Sequence, residues 1–338
     1  MTTQIAIAGA GALGLTAALA LADAGFSVSV YDPAGAAGNA SSVAAGLLAP
    51  AFESVFDSVP KIDFDLLLRA RNLWPSLEAR LGIVVDRAGA AAIGDAAFLH
   101  RSEVGLRALG LSPTRLARRT LEALAPGLGG EFREGVLSRE DWRIEPARMM
   151  AALTAALQAK GVAFQARAAT GFEGAQHLVI ATGAGRDLAV LAPGLAWLTP
   201  IKGQLVRFQS GGEPGIVLRA EGAYAAAGGA GWVLGATMEP GRTDRRVEAE
   251  ALEPILAQGR RLFPSARNAQ FTAQAGVRAA TPDGLPMVGR SAHPGVLLAV
   301  GARRNGWLLA PLVAQMIVDC VLERDLGVFS KQLDPLRY

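Results

Sequence analysis

The chain has 338 residues, 51% of them hydrophobic and 19% charged, which excludes a disordered tail and allows a large buried core. A formal charge of +3 is too slight to point to a nucleic-acid partner. One cysteine, Cys320, and three scattered histidines (His100, His177, His293) leave no disulfide frame, no dithiol couple and no metal-ligand spacing.

From the N-terminus, Ile5 to Ala22 is an apolar run about as long as a membrane span, interrupted only by glycines and Thr16. Met1-Thr2-Thr3-Gln4 before it carries no lysine or arginine, so it does not read as a secretory leader, and the expected location is cytoplasmic. The glycine spacing explains the run better. Ile5-Ala6-Ile7-Ala8 reads as a buried parallel strand. Gly9-x-Gly11-x-x-Gly14 comes next, then an Ala/Leu-rich helix to Ala24, stopped by Gly25. A second strand, Ser27 to Tyr31, ends on Asp32, eighteen residues after Gly14. In a dinucleotide site, Gly9 makes the tight turn, Gly11 lets the backbone approach a pyrophosphate, and Gly14 lets helix and strand pack closely. The helix N-terminus then faces the phosphates, and Asp32 can accept hydrogen bonds from a ribose. This unit alone leaves FAD and NAD both open.

The segment after Asp32 favours FAD. A nicotinamide domain usually continues with another strand, whereas Gly38 to Pro50 is a small-residue segment with Ser41 and Ser42. Arginines between Arg101 and Arg119 read as a solvated helical face, with an RNA-binding patch as the alternative. The next parallel-type elements come late: a helix over Pro146 to Lys160, a strand over Gly161 to Gln165, and another over His177 to Ala181 ending in Thr182-Gly183. Phe271 to Arg278 alternates like a strand, and Trp307 to about Leu322 reads as an apolar helix. Cys320 lies late in that helix and is expected in the core, so FAD is expected to be noncovalent. The pattern implies a nucleotide domain interrupted by a second one.

Five separated blocks carry a family resemblance. They are the dinucleotide unit with Ser41-Ser42-x-x-Ala45-Gly46-Leu47-Leu48-Ala49-Pro50, then Val179 to Gly183, Pro200 to Gln204, Leu234 to Glu239, and Gly276 to Gly289 with Arg304 to Pro311. In order and spacing the chain resembles the D-amino-acid-oxidase-like FAD-dependent oxidoreductases, and among them the glycine oxidase branch linked to thiamine synthesis. The resemblance implies an α/β fold in which a Rossmann-like FAD domain (1–80, 141–200 and 281–338) interleaves with a mixed β-sheet substrate domain (81–140 and 201–280).

It also implies a chemistry: oxidation of a small amino acid or amine such as glycine, sarcosine or a D-amino acid, by hydride transfer to FAD, with oxygen as the expected acceptor. Arg278 matches the arginine that pairs with the substrate carboxylate, and its planar fork suits that task. Arg304 and Tyr224 match further substrate contacts. The family usually has an apolar pair and Pro-Arg or Pro-Lys after the tyrosine, whereas this chain has Ala225-Ala226-Ala227-Gly228. Ala302-Arg303 replaces the usual histidine and aromatic. The implied cofactor contacts are Gly9, Gly11, Ala12, Leu13, Gly14, Asp32, Ser41, Ser42, Ala45, Gly46, Leu47, Ala169, Thr182, Gly183, Gly301, Asn305, Gly306 and Trp307. No side chain reads as a catalytic base. Three other readings remain at this level: the flavin half of a tRNA wobble-uridine modification enzyme, a quinone-linked D-amino acid dehydrogenase, and a catalytically silent nucleotide-binding protein.

Overall fold

Stretches from both ends and the middle of the chain meet in one six-stranded sheet, whose four central strands are too hydrophobic to face water on either side. In spatial order the strands are Met287–Arg290, Val296–Val300, His177–Ile180, Gln4–Ala8, Ser27–Tyr31 and Ala163–Gln165. All neighbours run parallel except the edge strand Met287–Arg290. The coordinates are a computed structural model. They describe residues 3–35 and 38–338, so Met1 and Thr2 of the leader reading lie outside them.

The membrane-length run divides at its glycines into the strand Gln4–Ala8 and the helix Ala12–Asp23, which packs against Gly306–Val321. Cys320 is buried in the core between these helices. No helix among the described residues is long and apolar enough to cross a membrane.

A second, mixed sheet holds nine strands among the described residues. Its backbone is Thr199–Phe208, paired along its full length with Phe271–Ala280. On the other side come Gly231–Gly235, Ala223–Gly228, Val217–Ala220, Ala90–Ile93, Glu134–Ser138 and Thr114–Ala117, with Glu239–Pro240 beside the start of Thr199–Phe208. One face is sealed by the helices Arg118–Leu124 and Ala249–Leu262 over Phe208, Trp232 and Phe263. The other face looks toward Pro50–Asp57 and Ala96–Ala108, through Phe52, Phe98, Leu205 and Val217.

The arginine-rich stretch departs from the single helical face expected of it. Gly110, with φ of 83°, ends the helix Ala96–Ala108. Thr114–Ala117 is then a strand with Leu116 buried, and Arg118 turns inward to donate to the carbonyls of Leu128 and Gly129.

Candidate active site

The loops that leave the carboxyl ends of four parallel strands converge on one groove of about 520 Å³. They are Gly9 to Leu13, Asp32 to Ala34, Ala181 to Gly185 and Gly301 to Arg304, the position where open α/β sheets hold ligands. The three motif glycines differ in what they permit. Gly9 has φ of 114°, and a Cβ there would fall on the Ala181 carbonyl oxygen; a Cβ at Gly14 would fall on the Gly9 carbonyl oxygen. At Gly11 the nearest atom to an added Cβ is Ser41 Oγ at 3.3 Å, so its face opens onto the groove.

Asp32 is held by two amides, Ala10 N to Oδ2 at 2.7 Å and Ala34 N to Oδ1 at 2.8 Å. Ser41 Oγ accepts from Ala12 N at 2.9 Å, so this hydroxyl holds the first amide of the helix Ala12–Asp23. Ser42 Oγ donates to the Asn39 carbonyl.

Of the expected cofactor contacts, Gly9, Gly11, Ala12, Leu13, Asp32, Ser41, Ala169, Thr182, Gly183, Gly301, Gly306 and Trp307 line this groove. Ala45, Gly46, Leu47 and Asn305 line a second cavity beside it, and Gly14 and Ser42 line neither. Among the groove residues outside the expected set are Asn39, Thr243 and Arg245. Asn39 donates from Nδ2 to the Ala10 carbonyl, and Thr243 and Arg245 reach over from the segment after Glu239–Pro240. Asn39 carried a local signal, as an N-cap residue before Ala40–Val43. Thr243 and Arg245 carried none, because they come from a loop that follows a strand of the other sheet.

The second cavity, of about 790 Å³, meets the groove at Ala40, Ala44, Arg278, Arg304 and Trp307. Its wall is the face of the nine-stranded sheet turned toward Pro50–Asp57. Arg278 and Tyr224, both on this wall, lie flat against the sheet because glycines stand beneath them. A Cβ at Gly203 would collide with the Arg278 guanidinium, and one at Gly235 with the Tyr224 hydroxyl.

Burial pulls the Arg278 guanidinium below its ordinary value, though an arginine so placed keeps its charge. Its polar contacts are the Thr237 carbonyl at 3.4 Å and Met238 Sδ at 3.2 Å. Among the described residues no carboxylate lies within ion-pair distance of it. Burial raises the Tyr224 phenol, against the opposing pull of Arg278 and Arg219, so it stays a donor.

The other cations of the cavity have carboxylate partners. Glu53 and Asp57 project from successive turns of the helix Pro50–Asp57. Glu53 pairs with Arg219 at 2.7 Å and with Arg304 at 2.7 Å, and Asp57 pairs with Arg303 and Arg304. Burial alone would raise Glu53, but Arg219 and Arg304 outweigh it and hold the carboxyl below its usual range. Arg304, expected to attract the substrate carboxylate, thus stands on the cavity wall with its charge already met by two carboxylates. Sequence reasoning missed Glu53, Asp57 and Arg219: the two carboxylates are one helical turn apart, but the arginines they meet lie far from them in the chain.

The groove fits a dinucleotide. Its lining includes bare backbone at Gly11 together with Asp32 and Arg245, and it opens into a cavity large enough for a ring system.

The family model described as FAD dependent oxidoreductase matches residues 4–320. The bifunctional protein ThiO/ThiG of Nostoc sp. is 31% identical over 96% of this chain, which covers 53% of that protein. The chain thus spans about half the length of the first curated relatives it matches. Glycine oxidase of Geobacillus kaustophilus is 28% identical over 97% of this chain and 96% of its own length. The crystal structure of that enzyme superposes with a TM-score of 0.84 at 24% identity, covering both chains fully. Iminodiacetate oxidase from Chelativorans sp. BNC1 also gives 0.84, at 23% identity and 98% coverage of each chain. At these identities the superpositions show a shared fold.

Proposed function

Since the chain belongs to the FAD-dependent oxidoreductase family, we propose that it oxidises an amino acid or amine whose carboxylate pairs with Arg278. The observation that carries this reading is a half-buried guanidinium without a carboxylate partner, placed where the nucleotide groove opens into the second cavity. The names of the relatives, glycine oxidase and ThiO/ThiG, support the reaction class. FAD, when bound, supplies the acceptor for the hydride leaving the amine-bearing carbon, and oxygen is the proposed final acceptor.

This chain's residues hold and orient. Gly9, Gly11 and the Leu13 amide in the first turn of Ala12–Asp23 cradle the diphosphate, and Asp32 takes a ribose hydroxyl. Arg278 grips the carboxylate through two parallel N–H bonds, and the Tyr224 hydroxyl donates a third. The N-terminus of the helix Gly306–Val321 lines both cavities and favours negative charge there. Tyr224 stays protonated and therefore donates without acting as a base. Substrate that loses hydride and proton becomes an imine, which water hydrolyses.

The test is Arg278→Ala beside Arg278→Lys. Removing one partner of a buried charge pair costs about 2–5 kcal/mol, on the order of 30- to several-thousand-fold in kcat/KM. Lysine recovers part of this, since a point charge cannot reproduce the fork. FAD content stays near normal in both. Wild type prefers an acid over its decarboxylated amine, and the alanine variant loses that preference. If Arg278→Ala keeps the preference with FAD bound, the carboxylate is held elsewhere.

A further inference from the structure

We propose that the substrate carries one carboxylate and an apolar extension several carbons long, which lies between the nine-stranded sheet and the helices Pro50–Asp57 and Ala96–Ala108. This rests on the Arg278 reading and narrows the substrate class for the same site.

Four arginines line the cavity: Arg101, Arg219, Arg278 and Arg304. Arg219 pairs with Glu53, Arg304 with Glu53 and Asp57, and Arg101 with Glu221 at 3.1 Å. Among the described residues Arg278 is the one lining cation with no ion-pair partner. The cavity therefore asks for a single anionic group. A second carboxylate would have to displace Glu53, Asp57 or Glu221 from its arginine.

The cavity is also long. Arg278 stands on Phe271–Ala280, and the lining continues through Gly203 and Leu205, Gly235, Tyr224, and then Arg219 and Ala220 on Val217–Ala220. Leu205, Gly235, Tyr224 and Arg219 are directly opposite one another in register, so they share one face. From Phe271–Ala280 to Val217–Ala220 is four interstrand steps, roughly 19 Å at ~4.8 Å each. Gly203 and Gly235 keep this face low, since the Arg278 guanidinium and the Tyr224 phenol lie flat over them. An amino acid with no side chain would leave most of it unfilled.

The opposite wall supplies the chemistry. Val55 and Phe56 project from Pro50–Asp57, and Phe98 and Val104 from Ala96–Ala108. Phe52, Phe56 and Phe98 form a stacked ladder with centroids 5.4 and 5.5 Å apart. The apolar part of this wall stabilises carbon by removing it from water, while its charged residues, Glu53, Asp57 and Arg101, already have partners.

The experiment titrates the FAD-loaded enzyme with unbranched monocarboxylates from acetate to hexanoate, and with hexanedioate, monitoring the flavin absorption spectrum. Each added methylene should tighten binding about fourfold until the chamber is full. Hexanedioate should bind more weakly than hexanoate. Val104 is 51% exposed, so Val104→Trp is tolerated by the fold and should flatten the gain at the long end of the series. In turnover, 2-aminohexanoate should reduce the flavin anaerobically with a higher kcat/KM than glycine. Equal affinity for acetate and hexanoate, or tighter binding of hexanedioate, overturns this inference and leaves the Arg278 reading standing. Failure of every carboxylate to bind, or equal binding in Arg278→Ala, overturns both.

Discussion

Arg278 and Tyr224 owe their positions to residues that have no side chains. A strand residue normally stands upright from the sheet, but here Gly203 and Gly235 leave bare backbone on which a guanidinium and a phenol rest. The consequence is testable at Gly203. A methyl group there meets the far end of a flexible arginine, so Gly203→Ala should keep fold and FAD while pushing the guanidinium aside. A displacement of about 1 Å at a positioning group costs on the order of 100-fold in kcat/KM. The loss should fall on carboxylate substrates and spare the matching amines. Normal kinetics in Gly203→Ala would show that the anchor has slack.

At the scale of the element, the helix Pro50–Asp57 decides which cations of the cavity are neutral, since it carries Glu53 and Asp57. Its own start has no local side-chain cap: the preceding residue is Ala49, and Pro50 opens the first turn. The cap comes from Asp141, whose carboxylate accepts from Ala51 N at 2.8 Å and Phe52 N at 3.1 Å. Burial raises this carboxyl to about 7, despite the opposing pull of Arg219 and of the two amides.

Unfolded, the Asp141 carboxyl ionises near 3.8, and folded, near 7. Between those values the native state binds more protons, so this group makes stability fall as pH rises from about 4 to 7. Asp141→Asn keeps one accepting oxygen and removes the titration. Its melting temperature should vary less steeply with pH across that window than the wild type's. Identical slopes would mean that Asp141 does not titrate there.

For the whole molecule, the groove is assembled from loops near residues 10, 33, 183 and 302 together with Arg245 from the loop after Glu239–Pro240. A ligand that touches all of them joins distant parts of the chain, and stabilises whatever state has them together. Binding to the native state alone adds about 2.7 kcal/mol when FAD is at ~100 times its Kd. Apoprotein should therefore melt several degrees higher when FAD is restored, by an amount that grows with FAD concentration. Riboflavin, which lacks the diphosphate and adenosine, should give a smaller rise. A melting temperature indifferent to FAD would count against the groove as the cofactor site.

The first strand, the glycine turn, the helix Ala12–Asp23 and the strand ending before Asp32 were all legible in the sequence. So were the late strand His177–Ile180 and the long strand that carries Arg278. Their signals are local: period-two or period-3.6 apolar spacing, and glycines where a Cβ would strike backbone. The neutralisation of Arg304 by Glu53 and Asp57, the pairing of Arg219, the distant cap from Asp141 and the reach of Arg245 had no such signal. Each joins residues whose separation in the chain carries no period, and only the packing of one sheet against the helices beside it brings them within bonding distance. By itself the sequence carried the glycine turn and terminal acid of a nucleotide site, while Arg278 as a carboxylate anchor followed only from the family resemblance. The tertiary structure decided which arginines keep an unmet charge, because that depends on the carboxylates folded against them.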